Sequence, residues 1–434
     1  MIKVCKFGGS SLACSGQFEK VKNIVLGDSR RKVIVLSAPG KRSKDDNKIT
    51  DLLYLLCAHL KYGVDYSSVY KSIKDRFYEI NQELNIGFDL DNEFNELEKT
   101  FNKNASEEFI VSRGENIVSK LFSKYIGYSF VDASDIMKFN YDGSLNSEES
   151  FKLIKKAFSE KDRIVIPGFY GAYPSGDIKL FSRGGSDVTG AIVSSALEAG
   201  IYENWTDVSG IFVADPKIIN NPKRISEITY DELRELSYMG ASVLHEETIF
   251  PVQELNIPIN ILNTNEPNDE GTIITKTCKD KTTIITGISG KRDFTSFNIT
   301  KSRGANKIDL IRTVLDIFSR FKVNIEHIPT GIDSFSVVCD TASLQKCYYD
   351  LIGELKQIDL IHKLDVEGEI ALVAVVGRNM ALKPGTSGRI FGILGDNKIN
   401  IKMIAQGANE INIIVGVKNS DFEKTIKVIY DNMI

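Results

Sequence analysis

Residues 181–190 read F-S-R-G-G-S-D-V-T-G, so a guanidinium (Arg183), two glycines (Gly184, Gly185), a hydroxyl (Ser186) and a carboxylate (Asp187) stand in consecutive positions. Residues 188–197 are small and apolar enough to continue as a buried helix. Glycines at a helix start bare backbone N–H groups to an anion, and the helix dipole favours negative charge there. An arginine just ahead adds a planar fork that fits carboxylate or phosphate. A glycine turn with a surface ion pair is the plainer reading, but four polar or special residues before a helix favour an anion site. A second such segment, Lys6-Phe7-Gly8-Gly9-Ser10-Ser11, closes the first strand-like run. Its glycines can present N–H groups to phosphate oxygens while Lys6 neutralises charge on a transferred group. No G-x-x-x-x-G-K-[ST] occurs, and Pro39-Gly40-Lys41-Arg42 reads as a decoy without the upstream glycine and the hydroxyl. No G-x-G-x-x-G occurs either. Together, the two segments on one sheet edge point to phosphoryl transfer onto a small acid.

The elements that must carry these segments alternate. Strand-like runs at 2–7, 32–37, 128–132, 163–167, 205–208 and 257–262 are separated by helical patterns, as at 17–26 and 50–60. That order predicts an α/β fold, a mostly parallel sheet sandwiched by helices, with ligand loops at the strand C-terminal ends. Residues 62–125 are helical in pattern and polar between their apolar positions, and they read as a helical insertion. After about residue 275, two copies of a β-α-β-β-α order follow, a plan of two ferredoxin-like units. The expected domains are 1–280 (catalytic, insertion about 62–125), 294–366 (first unit), and 281–293 with 367–434 (second unit).

Composition narrows the class. The chain has 434 residues, 42% hydrophobic and 26% charged, with a net charge of -4. That balance suits a soluble globular protein and gives no general electrostatic case for nucleic acid or an acidic membrane surface. No apolar run approaches a membrane span, and the opening residues enter a strand without a secretory signal, so a cytoplasmic location is expected. Six cysteines without a C-x-x-C pair read as reduced thiols, and the N-x-S/T matches carry no meaning in such a compartment. Four scattered histidines give no support to a metal site. His245-Glu246-Glu247 lacks the second histidine of a zinc motif and reads as structural.

The chain resembles the aspartate kinases (aspartokinases) of the amino-acid-kinase superfamily with tandem ACT regulatory domains. The resemblance runs through K-F-G-G-S-S at Lys6, I-T-D-L-L at Ile49, S-R-G-E at Ser112, G-F-Y-G at Gly168 and S-R-G-G-S-D at Ser182. It continues with W-T-D-V-S-G-I-F-V-A-D-P-K at Trp205, G-A-S-V-L-H at Gly240 and N-T-N-E-P-N-D-E-G-T at Asn263. K-P-G at Lys383, R-I-F-G at Arg389 and A-Q-G-A-N-E-I-N at Ala405 resemble the last ACT unit. The resemblance implies ATP-dependent phosphorylation of the L-aspartate side chain, the first step toward lysine, threonine and methionine, with Mg2+ accompanying ATP.

By the same resemblance, Lys6 and Asp187 are catalytic. Ser37, Thr50, Glu115, Phe169, Arg183, Gly184, Gly185 and Ser186 bind aspartate. Lys6, Phe7, Gly8, Gly9, Ser10, Thr206, Asp207, Phe212, Asp215, Lys217 and Ser242 bind the nucleotide, with Ser242 standing where some members carry lysine. Without the resemblance, Glu115 would belong to a solvated helix face, Asp207 to a turn cap and Phe169 partly to the core. The tail implies an amino-acid effector. L-lysine is expected at the first ACT unit near Ser302, Leu310, Ile311, Glu326 and Thr330, in a monofunctional homodimer joined through ACT sheets or in a dimer of dimers. Two other classes stay open: a superfamily kinase for acetylglutamate, carbamate or a nucleoside monophosphate, and a non-catalytic amino-acid sensor on a kinase scaffold.

Overall fold

The computed structural model describes residues 1–434 except Lys103, Arg183, Ser242, Val243 and His245, and except the side chains of Glu246, Glu247 and Thr248. The sequence assignments to Arg183, Ser242 and His245 therefore lie outside the described residues. The chain divides into two compact units. The first comprises Met1–Ile211, Ser226–Tyr230 and Val243–Cys278; the second comprises Phe212–Ile225, Asp231–Ser242 and Lys279–Ile434.

The first unit is built on an eight-stranded sheet of β1 (Lys3–Phe7), β2 (Arg31–Leu36), β3 (Ser129–Phe130), β4 (Ile164–Pro167), β5 (Ile201–Thr206), β6 (Glu227–Thr229), β7 (Ile259–Asn263) and β8 (Thr272–Thr275). Their order across the sheet is β6-β8-β7-β5-β1-β2-β4-β3, and every pairing is parallel except β7 with β8. The central strands are buried on both faces, which is why β2 and β4 read as continuous apolar runs. Register sets where the ligand loops emerge. Phe7 lies opposite both Leu36 and Trp205, and Leu36 lies opposite Pro167. Four strands therefore end level, and the segments that follow them leave from one edge.

Six helices matter for the site: α1 (Ser15–Leu26), α2 (Ile49–Tyr62), α3 (Ser67–Glu83), α4 (Leu90–Glu98), α5 (Glu107–Ile126) and α6 (Gly185–Ala196). The stretch read as an insertion is not an appendage. Ile73, Phe77 and Phe94 of α3 and α4, with Val111 and Leu121 of α5, share one hydrophobic core with Phe7 and Leu36 of the sheet. The polar residues between their apolar positions disguised this, because many of them are buried too: Ser112, Glu115, Asn116, Ser119 and Ser123 all face inward on α5. Helix α5 starts where Ser106 accepts a hydrogen bond from the Phe109 N–H, with Glu107 and Glu108 in its first turn, and it ends at left-handed Gly127. Gly114 lets it approach the end of β2, since a Cβ there would lie 2.9 Å from that of Ala38.

The second unit contains a six-stranded antiparallel sheet of β9 (Gly287–Lys301), β10 (Ile325–His327), β11 (Ser334–Asp340), β12 (Ile361–Val376), β13 (Met403–Gln406) and β14 (Asn412–Lys418) in the order β10-β11-β9-β12-β14-β13. The two repeats share this sheet, because β9 and β12 are long enough to serve both and pair from Gly287 with Val376 to Lys301 with Ile361. One half is covered by helices Lys307–Arg320 and Tyr348–Lys356, whose Val314, Phe318 and Leu351 share a core with Phe297 and Val337 of the sheet. The other is covered by Thr386–Asp396 and Phe422–Met433, whose Ile390 and Ile426 share a core with Val373 and Val415 of the sheet. Residues 341–356 form two helices, because Cys347 leaves helical geometry at φ −133° between Thr341–Leu344 and Tyr348–Lys356.

Candidate active site

A cavity of about 600 Å³ opens where β1, β2, β4 and β5 end, and it is lined by the segments the sequence singled out. From β1 come Lys6, Gly8, Gly9 and Ser10; from the β2 end come Ser37 and, on α2, Thr50. Phe169 follows β4, Gly184, Gly185, Ser186 and Asp187 open α6, Thr206 and Asp207 end β5, and Glu115 enters from α5. The two glycine-rich segments, far apart in sequence, thus line one pocket.

The closest charged pair in it is Lys6 Nζ with Asp187 Oδ1 at 2.6 Å, both largely buried. Asn204 Nδ2 donates to the same Oδ1 at 2.9 Å. The backbone of Asp187 is fixed as well, since its N–H bonds Gly184 O at 2.8 Å and its carbonyl accepts from the Tyr202 hydroxyl. Gly184 caps α6 at φ 72°, and Asp187 falls in that helix's first turn, where the dipole favours an anion. The loop after β1 is held from both sides. Gly8 N–H bonds Trp205 O at 2.9 Å, and Gly9 O accepts from Gly40 N–H at 2.8 Å. A Cβ on Gly9 would lie 2.7 Å from Ala38 O, so only glycine allows the two loops to meet.

Glu115 stands in a different environment. It is 4% exposed, and its Oε2 is buried without a hydrogen-bond partner. Burial pushes its carboxyl up to about 8, against hydrogen bonding from the Ala38 backbone and the charge of Arg113. The solvated face expected from its helical pattern alone does not exist. Phe169 takes a left-handed φ of 79°, held where its N–H meets Thr189 Oγ1 at 3.1 Å and its carbonyl accepts from Phe181 N–H at 2.8 Å. A bulky residue in that region stores strain, which clusters at functional positions.

Some sequence assignments fall elsewhere. Phe7 is fully buried and stacks on Trp205 with ring centroids 5.8 Å apart, because strand alternation turns it away from Lys6 into the core. Any part it plays in a nucleotide site is confined to its backbone. Phe212, Asp215 and Lys217 belong to the second unit, where Asp215 caps a turn by accepting from the Lys217 and Ile218 N–H groups. Of the effector assignments, Ser302 donates to Asp359 O at 3.1 Å, Glu326 lies on β10 hydrogen-bonded to Tyr238, and Thr330 bridges Phe335. Ile311 is half-buried and Leu310 fully buried in the core beneath. The cavity also has residues that sequence reasoning missed: Lys41 and Lys48, and behind it Asn204. Lys41 sits in the segment set aside as a decoy loop. Its signal was a cation after Pro-Gly at a strand end.

Fold and site together define a small-molecule kinase without a Walker loop. Residues 1–263 match the profile of the amino acid kinase family, and residues 373–433 match that of the ACT domain. Aspartokinase 3 of Bacillus subtilis is 34% identical over 447 residues, covering 99% of this chain and 98% of the relative. The crystal structure of Clostridium acetobutylicum aspartate kinase superposes with a TM-score of 0.96 at 46% identity, covering both chains fully. Escherichia coli aspartokinase III, solved in complex with aspartate and ADP, superposes at 0.80 with 25% identity; solved with lysine and aspartate, it does so at 0.77 with 26%, both chains again fully covered. The chain belongs to the amino acid kinase family, on its aspartokinase branch. Among the described residues, no helix is long and apolar enough to cross a membrane.

Proposed function

We infer that the protein transfers the γ-phosphoryl group of ATP to the side-chain carboxylate of L-aspartate, giving 4-phospho-L-aspartate and ADP. The carrying observation is one pocket that holds both Lys6, beside a glycine-rich loop, and Glu115, a buried carboxylate with an unpartnered oxygen. Such an oxygen is costly to leave bare, and a ligand ammonium group removes the cost. A lysine that neutralises phosphate and a carboxylate that receives ammonium are the two ends an amino-acid kinase needs.

The acceptor carboxylate is ionised near neutral pH, so no general base is required. One of its oxygens forms the bond to the γ-phosphorus, the bond from that phosphorus to the β,γ-bridging oxygen breaks, and ADP leaves with the electron pair. Repulsion between two anions is the obstacle, so catalysis comes from positioning and fixed positive charge. In this reading Lys6 neutralises the moving group, and Asp187 and Asn204 hold Lys6 at its station. The N–H groups of the 8–10 loop contact the phosphates. Arg183, Gly184, Gly185 and Ser186 take the substrate α-carboxylate, Glu115 takes its ammonium, and Ser37, Thr50 and Phe169 bound the space between. Thr206 and Asp207 serve the nucleotide.

Among the described residues, no three His, Cys, Asp or Glu side chains cluster as a metal site. Mg2+ keeps waters and phosphate oxygens as ligands, and Asp187 and Asp207, which line the pocket, are the carboxylates that would meet it. Bound there, it would neutralise phosphate charge. ADP release measured with aspartate, acetylglutamate, carbamate or a nucleoside monophosphate tests the assignment. Turnover that needs aspartate supports it, and turnover with another acceptor alone rejects it.

We further propose that L-lysine inhibits through the first ACT unit, near Ser302, Ile311, Glu326 and Thr330, with Leu310 shaping the floor, and that two chains join through ACT sheet edges. The lysine complex of the Escherichia coli relative supports the first part, and the strands at the sheet edges, β10 and β13, support the second. Lysine that leaves both activity and thermal stability unchanged sinks the effector; a monomer in sedimentation sinks the dimer.

A further inference from the structure

The loop of residues 39–48 joins β2 to α2 and carries two of the three lysines that line the cavity, Lys41 and Lys48. A loop with four cationic side chains in eight positions (Lys41, Arg42, Lys44 and Lys48), and with Arg76 of α3 against it, does not hold its shape through apolar packing. Its shape comes from polar contacts. Ile49 N–H closes it onto Pro39 O at 3.0 Å, and Gly40 N–H ties it to Gly9 O. Asp46 accepts from the Arg42 backbone N–H at 2.9 Å and from its Nε at 3.1 Å, and Arg42 reaches on to Glu79 of α3 at 2.7 Å.

At the centre is Arg76, an α3 side chain only 3% exposed. Its Nη1 donates to Gly40 O at 2.8 Å and lies 3.4 Å from Ala13 O, and its Nη2 pairs with Asp46. Its Nε is buried without a partner. Burial pulls the guanidinium below its ordinary value, Arg42 adds to this, and Asp46 offsets both. A core position would be filled more cheaply by an apolar residue, because a buried ion pair gains little over one. What Arg76 does that an apolar residue cannot is bind the carbonyl preceding Lys41, the carbonyl of Ala13 beyond the phosphate-type loop and the Asp46 carboxylate with one planar group.

We propose that Arg76 is a positioning residue that clamps the 39–48 loop so that Lys41 is presented to the polyphosphate of the nucleotide as a second cation beside Lys6. Lys41 follows directly on Gly40, which is bonded to Gly9, so the loop's cation stands next to the glycine turn rather than at the Glu115 end. Lys6 is already engaged by Asp187, and a tetra-anionic donor calls for more positive charge than one such lysine supplies. This inference rests on the kinase reading above.

The test is steady-state kinetics of the full-length protein with Lys41→Ala, Arg76→Met, Arg76→Lys and the Lys41→Ala/Arg76→Met pair. Lys41 is exposed, so its truncation leaves folding intact. Lys41→Ala is expected to raise the KM for ATP about tenfold while the KM for aspartate stays within about twofold. Arg76→Met should do the same, the double variant should be no worse than the worse single, and Arg76→Lys should recover only part, since a single ammonium cannot span three acceptors. An unchanged KM for ATP in Lys41→Ala, or additive losses in the double variant, overturns the proposal. If Arg76→Met does not fold, Lys41→Ala and Arg76→Lys decide it. A parent enzyme with no aspartate-dependent turnover rejects the kinase reading instead.

Discussion

Glu115 gives the account its most exposed consequence, because a carboxylate cannot receive an ammonium group while it is protonated. Burial holds its carboxyl up to about 8 in the free protein, so roughly one molecule in ten carries the ionised form at pH 7 and about one in a hundred at pH 6. Binding an ammonium must expel the proton. The dissociation constant of aspartate should therefore fall about tenfold per pH unit from 6 to 8 and level off above, with close to one proton released per aspartate bound at pH 7. Titration calorimetry in buffers of different ionisation enthalpy, with ADP present throughout, reads both quantities. Glu115→Gln should bind weakly, release no proton and lose the pH slope.

The same group sets a stability trend of definite sign. Its folded-state value stands above the ordinary 4.5, so its contribution is complete below pH 4.5 and is lost as pH rises through 8. At roughly 1.4 kcal/mol per pH unit, that loss is at most on the order of 5 kcal/mol. The ligand-free protein should become easier to denature across that window, and Glu115→Gln should flatten the trend. Aspartate binding that is flat between pH 6 and 8, with no proton release, would refute the reasoning.

Other changes have equally specific outcomes. Gly9→Ala drives a methyl group into Ala38 O and should lower activity at least tenfold through the loop while costing about 1–3 kcal/mol of stability by urea denaturation. Asn204→Leu removes one of the two donors on Asp187 Oδ1; kcat should drop about tenfold with the KM for aspartate little changed, and Asn204→Asp should not rescue it. Phe169→Gly relieves a left-handed φ, so the melting temperature should hold or rise while the KM for aspartate increases several-fold.

The parts of the site that were legible in sequence are those in which a few adjacent residues make one local device. Lys6 with its glycines, and Asp187 behind Gly184 and Gly185, could be recognised because strand end, turn and helix start are all encoded within ten residues. Glu115 was not legible as a buried group, since a helix whose inward face carries Ser112, Glu115, Asn116 and Ser119 has the pattern of a solvated one. Arg76, Asn204 and Lys41 were missed because their roles arise from contacts across 36, 17 and about 30 positions. The tail shows the same limit. The apolar half of β12 at 370–376 was readable, but its first half, alternating between exposed and half-buried, gave no apolar run, so the shared sheet of the two repeats became visible only in three dimensions.

The most direct test of the central claim is hydroxylamine trapping of the product at saturating ATP and aspartate, with Lys6→Met measured beside the parent protein. Aspartyl hydroxamate should form in step with ADP, and the rate should be about 10³-fold lower in Lys6→Met with aspartate still bound at the Glu115 end. ADP released without hydroxamate, or full activity in Lys6→Met, would contradict it.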